Sequence, residues 1–272
     1  MPADALALAL AAAVLHAGWN VLLRGSGDVE ARTAVVLGLS LLLFAPVAAA
    51  TWSVSWAVAP YVAASAAFEG AYFALLVAAY RNRELSVVYP VARGSAPLFV
   101  LLGTAVVLAR HVSVEAAIGV CFVAAGVVLV RGLRRGAEGV LVALAIGCAI
   151  AGYTLVDKDG LRHAAALPYL ELVMAPVGLV AVPVVAARRG IRALKAELGW
   201  SALVTAAAAG SADALVLAAL RLAPAPEVAA VRETSVVLAA LLAAAYLREP
   251  VGPKRLAGAV TVAAGVALIA LS

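Results

Sequence analysis

Apolar residues run along this chain in blocks of about twenty, separated by short polar or charged stretches. A helix that crosses the hydrocarbon core of a bilayer needs about 20 mainly apolar residues. Ten segments meet that measure: 4–23, 33–52, 57–80, 86–109, 113–130, 139–157, 167–187, 199–220, 226–247 and 254–271. The stretches between them are too short for an inserted soluble domain. No segment alternates apolar and polar residues as the strands of a membrane barrel do. The pattern predicts an all-α membrane protein of ten transmembrane helices. The first block is read as a retained span, because no Lys or Arg precedes it as in a secretory leader.

Composition agrees. The chain is 66% hydrophobic and 13% charged, against about 45–50% and about 25% in soluble domains. The net charge of +5 does not point to nucleic acid, because the basic residues lie almost entirely between the apolar blocks. Fourteen follow odd-numbered spans: Arg24, Arg32, Arg81, Arg83, Arg131, Arg134, Arg135, Arg188, Arg189, Arg192, Lys195, Arg248, Lys254 and Arg255. Four follow even-numbered spans: Arg110, Lys158, Arg162 and Arg221. Basic loops stay in the cytoplasm, so both termini are predicted outside. Cys121 and Cys148 fall inside apolar blocks and read as buried small hydrophobes rather than a disulfide framework.

The chain repeats itself. Gly119–Leu129 reads GVCFVAAGVVL and Gly258–Leu268 reads GAVTVAAGVAL, an offset of 139 residues that also lays Arg93 on Arg232. Near the starts of the halves, Ala17-Gly18-Trp19 matches Ala151-Gly152-Tyr153. Residues 1–135 and 136–272 are therefore expected to be two five-helix repeats. Five is odd, so sequential halves insert in opposite senses, the inverted repeat of secondary transporters.

Ionisable groups in mid-span are costly and usually face a cavity or a partner. His16, Trp19 and Asn20 share one helix face by their i, i+3, i+4 spacing. Glu69 and Tyr72 sit on the third span, Tyr89 and Arg93 on the fourth, Tyr153 on the sixth, Asp213 on the eighth, and Arg232 and Glu233 on the ninth. Each half thus offers one acid and one arginine, Glu69 with Arg93 and Asp213 with Arg232. Arginine binds a carboxylate or phosphate in bidentate fashion, and Glu69, Asp213 and Glu233 are candidates to carry a proton. The competing reading is that each acid only neutralises its arginine and holds helices together. Asp157, Asp159 and Arg162 read as a solvated loop cluster. No zinc, Walker or Gly-x-Ser-x-Gly motif occurs, so no catalytic residue, metal or cofactor is assigned.

The segments HAGWNVLLR from His16, YPVARGSAPLFV from Tyr89 and AGYTLVDKDGLR from Ala151, with the Ala-Ala-Gly ends of both halves, resemble the drug/metabolite transporter superfamily and, within it, the EamA-domain permeases. The resemblance covers essentially the whole chain. It implies alternating access, a central cavity lined by spans 1, 3, 4, 6, 8 and 9, and export of amino acids or related metabolites. It places His16, Trp19, Asn20, Glu69, Tyr72, Tyr89, Arg93, Tyr153, Asp213 and Arg232 at the cavity. The ninth span departs from the pattern: Val-Arg-Glu-Thr-Ser stands where the first half has Ala-Arg-Gly-Ser-Ala, and Glu233 argues against a strictly symmetric site.

The reading is therefore a secondary transporter of a small polar metabolite in a bacterial inner membrane. Its expected partners are a small-molecule substrate and the lipid bilayer, not nucleic acid. The residues do not set an oligomeric state, and a monomer is compatible with them. A non-transporting scaffold, or an accessory subunit of a lipid-modifying system, is the alternative.

Overall fold

The computed structural model describes residues 1–24, 26–81, 85–131, 139–247 and 252–272. The regular structure among these residues is helical: α1 (Ala3–Arg24), α2 (Val29–Ala50), α3 (Ala59–Arg81), α4 (Leu85–Leu102), α5 (Val114–Arg131), α6 (Val140–Gly160), α7 (Ala166–Arg189), α8 (Ile191–Ala196), α9 (Trp200–Leu222), α10 (Ala225–Arg232), α11 (Thr234–Leu247) and α12 (Pro253–Leu271). A 3₁₀ turn (Trp56–Val58) precedes α3, and a π turn (Gly103–Val107) extends α4.

Six helices among the described residues are long and apolar enough to cross a membrane, namely α1, α2, α6, α7, α9 and α12. Two further apolar stretches are shorter, Val91–Val107 and Val114–Val130. The outward faces carry Leu42, Val106, Val107, Leu141 and Leu179, each more than two-thirds exposed. Exposure on that scale suits lipid, not water. Trp52, Trp56 and Trp200 are exposed at helix ends, where amphipathic rings favour the membrane–water boundary. The chain is a multi-pass membrane protein.

Small residues set the packing. Gly126 of α5 lies against the carbonyl of Gly258 in α12, and Gly119 lies against that of Gly265. A Cβ at Gly126 would come within 2.8 Å of that backbone oxygen. The pairings run in opposite chain directions, so α5 and α12 are antiparallel with backbones in close approach, as lipid-embedded helices allow when the interface is small. α2 and α7 pair likewise, with Gly178 against Leu41 and Gly38 against Val182. The other main pairings are α1 with α9, α3 with α6, α4 with α6, α2 with α9, α4 with α5, and α1 with α10 and α11.

Three expectations are corrected. The ninth block is not one helix: it breaks between Arg232 and Thr234, where Glu233 N–H bonds to the Ala230 carbonyl and the Thr234 hydroxyl donates to Val231, a tight turn in place of α-helical bonding. Cys121 and Cys148 are free but exposed, on outward helix faces where a thiol is apolar enough to be left. Asp157 belongs to no solvated loop. α6 continues to Gly160, and successive helical residues point about 100° apart. Asp157 therefore faces inward at 6% exposure, while Asp159 faces out to meet Arg110 and Arg162.

Candidate functional site

Helices α1, α4, α6 and the break between α10 and α11 bring the first polar group together. The Arg93 guanidinium donates through Nη1 to Glu233 Oε1 at 3.0 Å and through Nη2 to His16 Nε2. Arginine has no acceptor, so the Nε2 lone pair of His16 must accept, and a neutral imidazole then carries its proton on Nδ1. Trp19 packs edge-on to the His16 ring at 4.8 Å. Asn20 donates to the His16 carbonyl at 2.7 Å, which makes it a backbone partner within α1.

Arg232 approaches the same Glu233 oxygen at 3.9 Å, so one fully buried carboxylate lies between two guanidinium groups. The Nη2 of Arg232 donates to the Tyr153 hydroxyl at 3.5 Å, and its charge sits 6.0 Å from the centre of that ring. Tyr72 meets Tyr153 edge-on at 6.4 Å. Arg93 is thus paired across the two halves of the sequence with Glu233, not with Glu69 of the preceding helix. A buried charge takes the partner that geometry brings within reach, and the kink at Glu233 delivers one.

A second group lines a cavity of about 50 Å³. A water needs roughly 10–15 Å³ measured in this way, so there is room for a few. Glu69 of α3, Asp157 of α6, Asp213 of α9 and Arg232 of α10 all border it, with Tyr153, Thr154 and Tyr169. Asp157 accepts a hydrogen bond from the Tyr169 hydroxyl at 2.8 Å. Among the described residues no cation lies within 4.0 Å of the Glu69 or Asp213 carboxylate. The cavity reaches from Arg232 toward Leu170 and Leu220, close to the α6–α7 and α9–α10 connections.

The structure thus joins His16, Trp19, Arg93 and Glu233 in one cluster and Glu69, Tyr153, Asp213 and Arg232 around one cavity, with Arg232 and Tyr153 linking the two. Tyr72 and Arg93 also border a smaller space of about 20 Å³ between α3, α4 and α6. The Tyr89 side chain lies outside the described residues. Asp157 and Tyr169 were missed as cavity residues. For Asp157 the available signal was its spacing: it lies four residues after Tyr153, on the same helix face.

The two ends of the bundle are closed differently. Around the α1–α2 connection, Arg32 Nε meets Glu197 Oε2 at 2.7 Å, Arg189 meets Asp28 at 3.0 Å, and Arg188 meets Glu30 at 3.0 Å. At the opposite end, the strand-like bridge of Val54 to Ala164 joins the α2–α3 and α6–α7 connections. Ser55 N–H bonds to the His163 carbonyl there, and Ala165 N–H to that of Ser53.

Among the solved structures similar to this chain is a crystal structure with a TM-score of 0.79 over 100% of this chain and 98% of its own, at 16% sequence identity. Identity that low establishes a shared fold alone. No curated protein matches the chain. The model of the EamA-like transporter family matches residues 137–271, from the start of α6 through α12. By that match, residues 137–271 are of the EamA-like transporter family.

Proposed function

We propose that the protein is a secondary transporter that exports a small polar metabolite, such as an amino acid or a related compound, by alternating access. The observation that carries this reading is the cavity between α3, α6, α7, α9 and α10, with three carboxylates and Arg232 on its wall. Charges buried at membrane depth are expensive and mark solute or ion pathways. A scaffold or accessory subunit has no use for an internal space of that polarity.

Ten crossings in two inverted repeats, residues 1–135 and 136–272, form the architecture in this proposal. The packing supports it. Exchanging each helix for its counterpart five crossings on turns the α1–α9 contact into the α6–α3 contact, and returns α2–α7 and α5–α12 to themselves. The Gly119–Gly265 and Gly126–Gly258 approaches exchange in the same way, as a two-fold axis in the membrane plane requires. The membrane is the bacterial inner membrane, with both termini outside, and the cavity then lies in the outward half. The ion pairs at the α1–α2 end and the bridge at the α2–α3 end are the contacts that opening must break.

Coupling to protons is part of the proposal. His16 uncharged, Glu69, Asp157, Asp213 and Glu233 ionised, and Arg93 and Arg232 charged leave a net −2 in the bundle. Protons are the cheapest compensation when no solute is bound, and Glu69 and Asp213, with no cation partner among the described residues, are the residues to carry them. The test is luminal pH in proteoliposomes while amino acids, organic cations and organic anions are added outside in turn. A solute-dependent pH change abolished by Glu69→Gln or Asp213→Asn supports proton-coupled transport. Movement of labelled solute without a pH change removes the coupling and keeps the transport. Movement of no solute at all sinks the reading.

A further inference from the structure

Resting on the transport reading, we infer that the solute is a net-positive amino acid, one that carries a second amino group. Its carboxylate is held by Arg232 and its ammonium groups by Glu69, Asp157 and Asp213 once the cavity, which here has room for a few waters, opens to admit it. The argument begins with charge. The cavity wall carries three carboxylates against one guanidinium. An anionic solute would enter against that excess. A neutral-chain amino acid would satisfy Arg232 and one acid and leave two carboxylates that must keep their protons or stand uncompensated, which is costly away from water. A solute with two ammonium groups and one carboxylate answers all three acids and the arginine more nearly than either.

The second observation is independent of the acids. The Arg232 side chain is 8% exposed, lies on the same cavity wall, and its Nε has no hydrogen-bond partner. That nitrogen lies 3.9 Å from Glu233 Oε1, beyond hydrogen-bond reach, and Arg93 holds the same oxygen at 3.0 Å, while Glu233 Oε2 has no hydrogen-bond partner; the hydrogen bond from Arg232 to Tyr153 is long at 3.5 Å. A buried guanidinium that faces a cavity with an idle donor calls for an acceptor from the solute, and a carboxylate is the shape it reads best. A polyamine without a carboxylate would leave that donor empty. An inorganic cation is disfavoured by placement: the acids come from three helices, and among the described residues no three His, Cys, Asp or Glu side chains converge closely enough to hold a metal ion.

The experiment uses the full chain in proteoliposomes and four labelled probes that isolate each group. Ornithine carries both amines and the carboxylate, norvaline lacks the side-chain amine, putrescine lacks the carboxylate, and glutamate reverses the side-chain charge. Ornithine is expected to move faster than norvaline and glutamate by roughly tenfold, the effect of one good charged contact. Arg232→Lys should weaken ornithine more than putrescine, and Asp157→Asn should weaken ornithine more than norvaline. Thermal stabilisation of each purified variant by ornithine checks that the variant still folds and binds. Norvaline or glutamate moving as fast as ornithine would overturn the inference while leaving transport in place. So would movement of some other solute with none of these four. Silence across every solute defeats the transport reading itself, a result the first assay separates.

Discussion

Arg93 on α4 and Glu233 in the break between α10 and α11 form a buried ion pair at 3.0 Å, although 140 residues separate them in the chain. The same carboxylate faces Arg232 at 3.9 Å. Removing one partner of a buried pair leaves an uncompensated charge and costs about 3–5 kcal/mol. Glu233→Gln is expected to be the more damaging change, since it leaves two guanidinium groups facing each other. Arg93→Met should destabilise less, and the double variant should recover part of the loss. Thermal unfolding of the four proteins in one detergent measures the coupling. Strict additivity would mean that the pair holds nothing together.

The α5–α12 contact gives a steric prediction. At Gly126 and Gly258 an added Cβ would lie 2.6–2.8 Å from atoms of the opposing helix, backbone carbonyls among them. Gly126→Ala and Gly258→Ala should each lower stability by about 1–3 kcal/mol, the usual cost of overpacking. Gly18→Ala and Gly70→Ala, with nothing within 4 Å of the new carbon, should be neutral or slightly stabilising. The same ranking should appear in the yield of folded protein from membranes.

The ion pairs at the α1–α2 end give a pH dependence. The hydrogen bond from Arg32 holds the Glu197 carboxyl below its ordinary value, and the Asp28 amide and the Arg32 charge add to that against partial burial. At Asp28 burial pushes the other way, but the Ala31 amide and Arg189 outweigh it and hold that carboxyl low as well. A depressed folded-state value means that the stabilisation is complete above the unfolded carboxylate range. It is lost as pH falls below about 4 and through the folded values. Stability measured from pH 6 to pH 3 should therefore drop more steeply in the unsubstituted protein than in Glu197→Gln. Equal slopes would remove Glu197 from the account. High salt should weaken the more exposed Arg188–Glu30 and Arg189–Asp28 pairs before the Arg32–Glu197 pair.

Tyr169 and Asp157 are joined by a 2.8 Å hydrogen bond at the cavity wall. Tyr169→Phe deletes the donor and keeps the ring, and should cost about 0.5–1.5 kcal/mol. The same variant frees an Asp157 oxygen toward the solute, so its effect on solute affinity should be of opposite sign to that of Asp157→Asn. Loss of affinity in both would assign Tyr169 a direct contact with solute.

Much of the fold was legible because hydrophobic blocks obey one-dimensional rules. The expected spans 4–23, 33–52 and 199–220 lie within a few residues of α1, α2 and α9. The likeness of Gly119–Leu129 to Gly258–Leu268 was visible in the sequence itself. The candidate site was legible as a set of residues, since a charge inside an apolar block stands out. It was not legible as a set of pairs. Glu69 and Arg93 are near in the chain, yet Arg93 meets Glu233. Asp157 stood beside Asp159 and Arg162, and only helix phase separates the one that turns inward from those that stay in water.

Sequence alone determined that this chain is helical and embedded in a membrane, and that charged groups lie inside it. Those properties follow from transfer of residues between water and lipid, which depends on local composition. The tertiary structure alone decided that Glu233 sits between two arginines, that Asp157 and Tyr169 join Glu69, Asp213 and Arg232 around one cavity, and that glycines of α5 and α12 meet back to back. Those relations depend on which faces of distant helices come together, and that is settled by backbone approach and packing in three dimensions.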